Sequence, residues 1–447
     1  MEPSSSSSAP DEAWVQRDAA VIWHGFTQMA TFADSEPIIV DRAEGHELID
    51  TRGRRYLDAI SSLWVCTLGH RVRELDDAII AQLGKVAHST LLGNSATVVI
   101  ELSEALARVL PVNQPHLMFA SDGAAAVEQA LKMAFQYWAN IGSSGHTTYL
   151  ALGDAYHGDT VGSLSLGADG FGSELFDPLR FPVMRTPGYN NPNWASAAID
   201  ALVEHAGQLA AVVVEPLVQA AAGMHVARPG DLRRLGEACL DTGTLLICDE
   251  VATGFGRTGS LFASTLCELS PDIMCLGKGI TGGYLPMSAT VASRKIFDAF
   301  VDDGSAGEPR RDRTFYHGHS YGGNALAAAV AVRHLELIED WDVLTNVKDM
   351  TSELARLLEE RISVLEAVSE VRQCGLMVGV ELASQCAGSG WGKLVSQAAV
   401  RRGVLLRPLG DVVVIMPPLT ITSDELAKIV DVLRESILEQ CNVSAPS

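Results

Sequence analysis

Asp249-Glu250-Val251-Ala252-Thr253-Gly254-Phe255-Gly256-Arg257-Thr258-Gly259 and, a short way on, Leu276-Gly277-Lys278-Gly279-Ile280-Thr281-Gly282-Gly283 decide how this chain folds. Each follows a short apolar run, Thr244-Leu245-Leu246-Ile247-Cys248 before the first and Asp272-Ile273-Met274-Cys275-Leu276 leading into the second. Runs of this length, bounded by glycine or an acid, read as strands buried on both faces of a sheet. They deliver Asp249 and Lys278 to a sheet edge, where doubly wound sheets bind ligands. The pattern predicts an α/β fold with a site at that edge.

A lysine held among apolar residues and glycines loses its proton readily and can attack an aldehyde, while a buried carboxylate can keep a pyridine nitrogen protonated so that the ring withdraws electrons. Such a pair suits catalysis with pyridoxal 5'-phosphate as cofactor. Singly, an Asp-Glu pair after a strand is commonly a helix cap, and Gly-Lys-Gly a turn. Their conjunction on two adjacent strand signals carries the expectation.

The 447 residues are 47% hydrophobic and 20% charged, enough for a large core. A formal net charge of −22 argues against nucleic acid or an anionic membrane as partner. No apolar run approaches the ~20 residues that span a bilayer, and the Ser-rich start Met1 to Pro10 lacks the basic and apolar regions of an export signal. The eight cysteines show no Cys-x-x-Cys spacing and read as reduced thiols of a cytoplasmic protein. His317-Gly318-His319 has no acidic partner at zinc spacing, so no metal is expected.

Around the central stretch, Leu117 to Ala120, Thr147 to Ala151 and Leu209 to Val214 read as further strands, and Ser121-Asp122-Gly123-Ala124-Ala125 opens a helix running to Trp138. A glycine turn at a helix N-terminus suits a phosphate, and reads equally well as an ordinary cap. Glu215 and Gln219 follow a buried strand and could gate substrate or simply bond a turn. Helices are also expected over Ala13 to Ile22, Glu74 to Val86, Asn94 to Leu110, Asn324 to Asp340, Leu344 to Leu365 and Ser423 to Gln440. The expected division is a disordered tail at 1–12, an N-terminal segment of a small domain at 13–75, a large domain at 76–340, and the rest of the small domain at 341–447.

With the strings around Asp249 and Lys278, the segments Trp23-His24, Lys132 to Trp138, Tyr156-His157-Gly158-Asp159-Thr160, Glu215-Pro216, His317-Gly318 and Arg407-Pro408 resemble the class III, fold-type I aminotransferases over roughly residues 20 to 440. That resemblance implies a large domain with a seven-stranded mixed sheet, a small α+β domain from both chain ends, and a homodimer with sites at its interface. It implies Lys278 as the lysine that holds the cofactor and shuttles the proton, Asp249 at the pyridine nitrogen, Tyr156 stacked on the ring, and Gly123 with Ala124 at the phosphate. Ser320 would reach the phosphate of the neighbouring subunit, and His157 is given no chemistry. Some members carry a serine at the position of Ala124, so backbone donors must carry more here.

Within the family the strings look most like the branch that aminates 8-amino-7-oxononanoate in biotin biosynthesis. Arg257 and Arg407 favour it, since a long substrate with a distant carboxylate needs a far cation, although Arg257 could also cap a helix. The alternatives are an aminotransferase for ω-amino acids or ornithine and, more remotely, a non-catalytic binding protein of the same fold. Members using S-adenosylmethionine as amino donor typically show Tyr at Phe26 and a Trp pair at Leu63-Trp64. A smaller lysine-using branch shares Phe26-Thr27-Gln28-Met29 and the single Trp64, so lysine is the expected donor. Phe26, Leu63, Trp64, Arg257 and Arg407 are the implied substrate contacts.

Overall fold

The computed structural model describes residues 9–168, 173–302, 311–383 and 390–442. Seven strands form the central sheet: β1 (His116–Ala120), β2 (Thr148–Leu152), β3 (Met184–Thr186), β4 (Leu209–Val214), β5 (Leu245–Asp249), β6 (Ile273–Leu276) and β7 (Ser288–Ala292), in the order β1-β7-β6-β5-β4-β2-β3. Only β7 runs antiparallel to its neighbours; β6, β5, β4, β2 and β3 pair in parallel. This is the seven-stranded mixed sheet of an α/β fold that the resemblance implied.

Every residue of β4, β5 and β6 is buried, because helices cover both faces. Successive side chains of a strand point to opposite faces. Val213, Ile247 and Cys275 thus join one core with Ala126 and Ala130 of helix Gly123–Asn140, while Val212, Leu246 and Cys248 join another with Leu202 and Leu235. Strands β3, Met184-Arg185-Thr186, and β7, Ser288–Ala292, went unpredicted because three residues and a run of small, partly polar side chains give no apolar run to read.

Both chain ends meet outside this sheet. Strand Arg55–Asp58 pairs in parallel with Val404–Leu405 and completes a sheet with Val40–Glu44 and Glu47–Asp50. A second four-stranded sheet holds Val368–Cys374, Met377–Leu382, Val412–Ile415 and Arg407–Leu409. One core joins Leu57 and Leu75 to Val330, Leu354, Val413 and Leu433. Helix Ala325–Asp340 bridges the two regions, with Ala328 and Ala331 packed beside β6 and β7 and Val330 and Leu337 in the other core.

The first helix spans Ala9–Val21 and so extends into the segment expected to be a tail at 1–12. Pro10 falls in its first turn, where a missing N–H loses no helical bond. Residues 1–8 lie outside the described residues. Cys66, Cys239, Cys248, Cys267, Cys275 and Cys374 are free thiols, and no described helix is long and apolar enough to cross a membrane.

Helix Ser423–Asn442 begins with a reciprocal cap: Thr422 N–H donates to Glu425 Oε2 at 2.9 Å and Glu425 N–H to Thr422 Oγ1 at 3.4 Å. The same carboxylate accepts from His46 Nδ1 at 2.9 Å, tying the first hairpin to the last helix. Burial alone would raise the Glu425 carboxyl, but the bonds from His46 and Thr422 bring it down to about 2. A depressed carboxyl contributes stability above its ordinary value of 4.5 that is lost as pH falls towards 2. Glu425→Gln should therefore lower Tm at neutral pH, by about 2 °C for each kcal/mol lost, and the gap from wild type should close as thermal scans move below pH 4.5; a gap independent of pH would assign the effect to packing.

Candidate active site

The carboxyl ends of the parallel strands gather the candidate residues on one edge. Gly123 follows β1, Tyr156 and His157 follow β2, Glu215 follows β4, Asp249 ends β5, and Lys278 stands just beyond β6. A cavity of about 450 Å³ is lined there by Trp64, Gly123, His157, Asp249, Val251 and Lys278, among others.

Asp249 is nearly buried and doubly held. Its Oδ2 accepts from His157 Nδ1 at 2.7 Å and its Oδ1 from the Val251 N–H at 3.0 Å. Burial would lower the His157 pKa, yet the bond to Asp249 raises it above the ordinary imidazole value. The bond holds the His157 ring against the Asp249 carboxyl, and His157 Nε2 has no hydrogen-bond partner among the described residues. Sequence reasoning gave His157 no task; its only signal was adjacency to Tyr156.

Lys278 adopts φ 41°, left-handed backbone that a side chain tolerates only under constraint. Its Nζ lies 5.3 Å from the centre of the Trp64 ring. Burial lowers its pKa, and the charges of Asp249 and Glu215 offset that only in part, so the amine gives up its proton more easily than a surface lysine. Glu215 accepts from the Tyr156 N–H at 3.1 Å and the Ala220 N–H at 3.3 Å. Burial, opposed by His157 and reinforced by Asp249, pushes its carboxyl up to about 7.

The wall carrying Trp64 is unusual. Ser61, Ser62, Leu63 and Trp64 have φ of 49°, 48°, 72° and 71°, a left-handed turn closed by Trp64 N–H to Ile60 O at 2.8 Å and Val65 N–H to Ser61 O at 2.9 Å. Left-handed backbone costs a residue with a side chain about 1–2 kcal/mol.

Gly123 opens the helix to Asn140, and Asp122 Oδ1 accepts from the Ala125 N–H at 2.9 Å. The N–H groups of Gly123 and Ala124 precede the first intrahelical bond and remain for a ligand. A Cβ at Gly123 would come within 2.6 Å of Val251 Cγ1, so a side chain there would disrupt the wall. A second cavity of about 470 Å³ shares Tyr156, Gly158 and Asp159 with the first, and its far wall is apolar, with Phe26, Leu164, Phe176 and Leu179. Tyr156 also donates its hydroxyl to Asp159 Oδ2 at 3.0 Å.

Other sequence candidates lie elsewhere. Arg257, expected at a substrate carboxylate, is buried and lines neither of these cavities; its Nη1 and Nη2 donate to the carbonyls of Pro417 and Cys66. Those carbonyls, one from the C-terminal unit and one from the N-terminal segment, claim the guanidinium. Gln219 spends its amide on Gly153 O and the Tyr189 N–H, so it braces two loops. Leu63 is half-exposed on the left-handed turn. Ser320 is exposed, and its carbonyl accepts from His88 Nε2; it stands near a third cavity of about 600 Å³ lined by Leu91, Leu92, Gly318 and His319. Arg407, in strand Arg407–Leu409, is close enough to Tyr156 for its charge to act on the phenol.

Residues 29–437 match the family described as Aminotransferase class-III. The chain belongs to the class III aminotransferases. It is 44% identical, over 94% of its length and 81% of the relative's, to an adenosylmethionine-8-amino-7-oxononanoate aminotransferase of Nitratidesulfovibrio vulgaris, and 40% identical, over 94% and 96%, to one of Geobacter sulfurreducens. The crystal structure of an adenosylmethionine-8-amino-7-oxononanoate aminotransferase from Methanocaldococcus jannaschii superposes with a TM-score of 0.90 at 35% identity, covering 96% of this chain and 99% of that one. An omega transaminase mutant from Pseudomonas jessenii reaches the same TM-score at 26% identity, covering 97% and 99%.

Class III aminotransferases depend on pyridoxal 5'-phosphate, and the residues present fit that group. The free N–H groups at Gly123 and Ala124 suit a phosphate, the anchored Asp249 carboxylate a protonated ring nitrogen, and the easily deprotonated Lys278 an aldehyde.

Proposed function

We propose that this aminotransferase converts 8-amino-7-oxononanoate to 7,8-diaminononanoate, a step of biotin biosynthesis. The names of the relatives support the substrate. The single observation that carries it is the apolar 470 Å³ cavity joined at Tyr156 to the cavity of Lys278, with Arg407 acting on the same phenol. A chain of methylenes gains about 0.8 kcal/mol per buried CH₂ along such a wall, and a guanidinium suits the carboxylate at its end.

Bound pyridoxal phosphate supplies an aldehyde that takes up the amino group and a ring that draws electrons from the carbon being deprotonated. Lys278 would move the proton: its Nζ, with its pKa lowered by burial, would take it from the substrate carbon bearing nitrogen and deliver it to the carbon that had been the cofactor's aldehyde, and the reverse in the other half of the reaction. Asp249, held by His157 and the Val251 N–H, would keep the ring nitrogen protonated, and Tyr156 would cover the ring. Gly123 and Ala124 would hold the phosphate. Glu215, near neutrality in its carboxyl, sits beside the amine without imposing a second full negative charge next to Asp249. Purified protein should be yellow, with borohydride fixing the cofactor on Lys278, and mass spectrometry should find the diamine formed from 8-amino-7-oxononanoate. Lys278→Ala should fold and lose turnover by several orders of magnitude; conversion of ω-amino acids but not this acceptor would move the assignment to that branch.

Arg407, rather than the buried Arg257, is the proposed partner of the substrate carboxylate. Arg407→Ala should raise KM for the acceptor about tenfold to a hundredfold, the equivalent of a charge-assisted bond of about 1.5–3 kcal/mol. The methyl ester of the acceptor should then no longer distinguish variant from wild type; if it still does, another cation binds the carboxylate.

The chain is proposed to act as a homodimer. Ser320, away from its own Lys278 cavity, and the exposed Leu92 and Tyr321 near it support a face that serves a second copy. Sedimentation giving a monomer at assay concentration would end that proposal.

For the amino donor we infer lysine. Phe26 on the apolar cavity and the half-exposed Leu63 carry neither the phenol nor the second indole of the S-adenosylmethionine-using members. The names of the relatives favour S-adenosylmethionine instead. Single-turnover spectra should show lysine discharging the yellow chromophore faster than S-adenosylmethionine, and the reverse order would assign the donor that those names carry.

A further inference from the structure

The left-handed turn at Ser61 to Trp64 is held by two buried groups, the Asp58 carboxyl and the Met416 carbonyl. Asp58, fully buried at the end of strand Arg55–Asp58, accepts from the Ser62 N–H at 2.9 Å through Oδ1, and from the Ser62 hydroxyl at 2.7 Å and His70 Nε2 at 3.0 Å through Oδ2. Ser61 Oγ is tied separately, donating to Met416 O at 2.7 Å. Burial alone would raise the Asp58 carboxyl, and the bonds from His70 and Ser62 bring it below its ordinary range. Burial would lower His70, but its bond to Asp58 and the nearby Cys66 thiol push it up to about 10, so the pair is ionic at neutral pH.

Strained backbone persists only where its surroundings over-determine it, and here the constraint falls on Ser62, in the middle of the strained run. The run ends on Trp64, whose ring faces the Lys278 amine and whose Nε1 is buried without a partner among the described residues. Returning these residues to right-handed backbone would redirect Leu63 and Trp64 together.

We propose that Asp58, braced by His70, is a positioning residue for the transamination: it touches neither substrate nor cofactor, and acts by holding the left-handed turn that sets the Trp64 ring against Lys278. The proposal rests on the reading of that cavity as the pyridoxal phosphate site.

The test uses holoenzyme. Asp58→Asn keeps the shape of the side chain but replaces one oxygen by an NH₂ donor, so the amide cannot accept from the Ser62 N–H on one side and from the Ser62 hydroxyl and the His70 N–H on the other at the same time. It should bind cofactor stoichiometrically, show an altered visible circular dichroism of the bound chromophore, and lose about tenfold to a hundredfold in kcat, the scale expected of a small misplacement, with KM changed less. In a Trp64→Ala background the same substitution should change kcat by less than about twofold, since the two act through one ring. Adding Ser62→Gly to Asp58→Asn should recover part of both signals, because glycine takes positive φ without strain. Losses that multiply in the Trp64→Ala background, or a dichroism spectrum unchanged by Asp58→Asn, would overturn the proposal. Should Asp58→Asn fail to fold, Ser62→Ala deletes one of the three bonds and reads the same signals at smaller amplitude. Wild type that takes up no cofactor would sink the reading of the site instead.

Discussion

Everything in the site depends on the parallel pairing of β2, β4, β5 and β6, which forces their carboxyl ends onto one edge. Parallel strands must be joined by crossovers, and helices on both faces leave the strands wholly apolar. The polar residues that follow the strands, Tyr156 with His157, Glu215, Asp249 and Lys278, therefore converge without further instruction. A one-residue slip between β5 and β6 would carry Asp249 out of line with Cys275, its present partner in register.

Convergence brings two acids, an imidazole and an amine into a nearly dry space, and the charges there balance one another. The bond to Asp249 raises the His157 pKa, and His157 Nδ1 with the Val251 N–H occupies both carboxyl oxygens in return. Glu215 rises towards neutrality beside them. What remains is an amine whose charge is opposed by burial more than it is supported by neighbours, the condition a lysine needs to act as base and nucleophile. The charge of the buried Arg257 guanidinium adds to this balance, lowering Lys278 a little further.

A run of left-handed backbone lies where the two structural regions touch the cavity. Lys278 itself and all four residues from Ser61 to Trp64 take left-handed backbone. Buried partners from distant parts of the chain hold the segment after that turn: His334 of the bridging helix lies 2.6 Å from Thr67 Oγ1, the Leu419 N–H donates to Thr67 O, and Arg257 donates to Cys66 O. The small sheet built from both chain ends thus supports one wall of a site whose other walls belong to the central sheet.

Much of this was legible in the residues themselves. Short apolar runs ended by Asp249 and before Lys278 determined a buried parallel sheet and the chemistry at its edge, because hydrophobic run length and the following polar residue are local properties. The glycine turn at Gly123 was legible for the same reason. Tertiary structure alone decided the rest. It joined His157 to Asp249 and buried Arg257 against Pro417 and Cys66, contacts between residues far apart in sequence. It also turned Ser61 to Trp64 left-handed, a conformation that the intrinsic preference of serine, leucine and tryptophan opposes and that only Asp58, Met416 and the packing around them can hold.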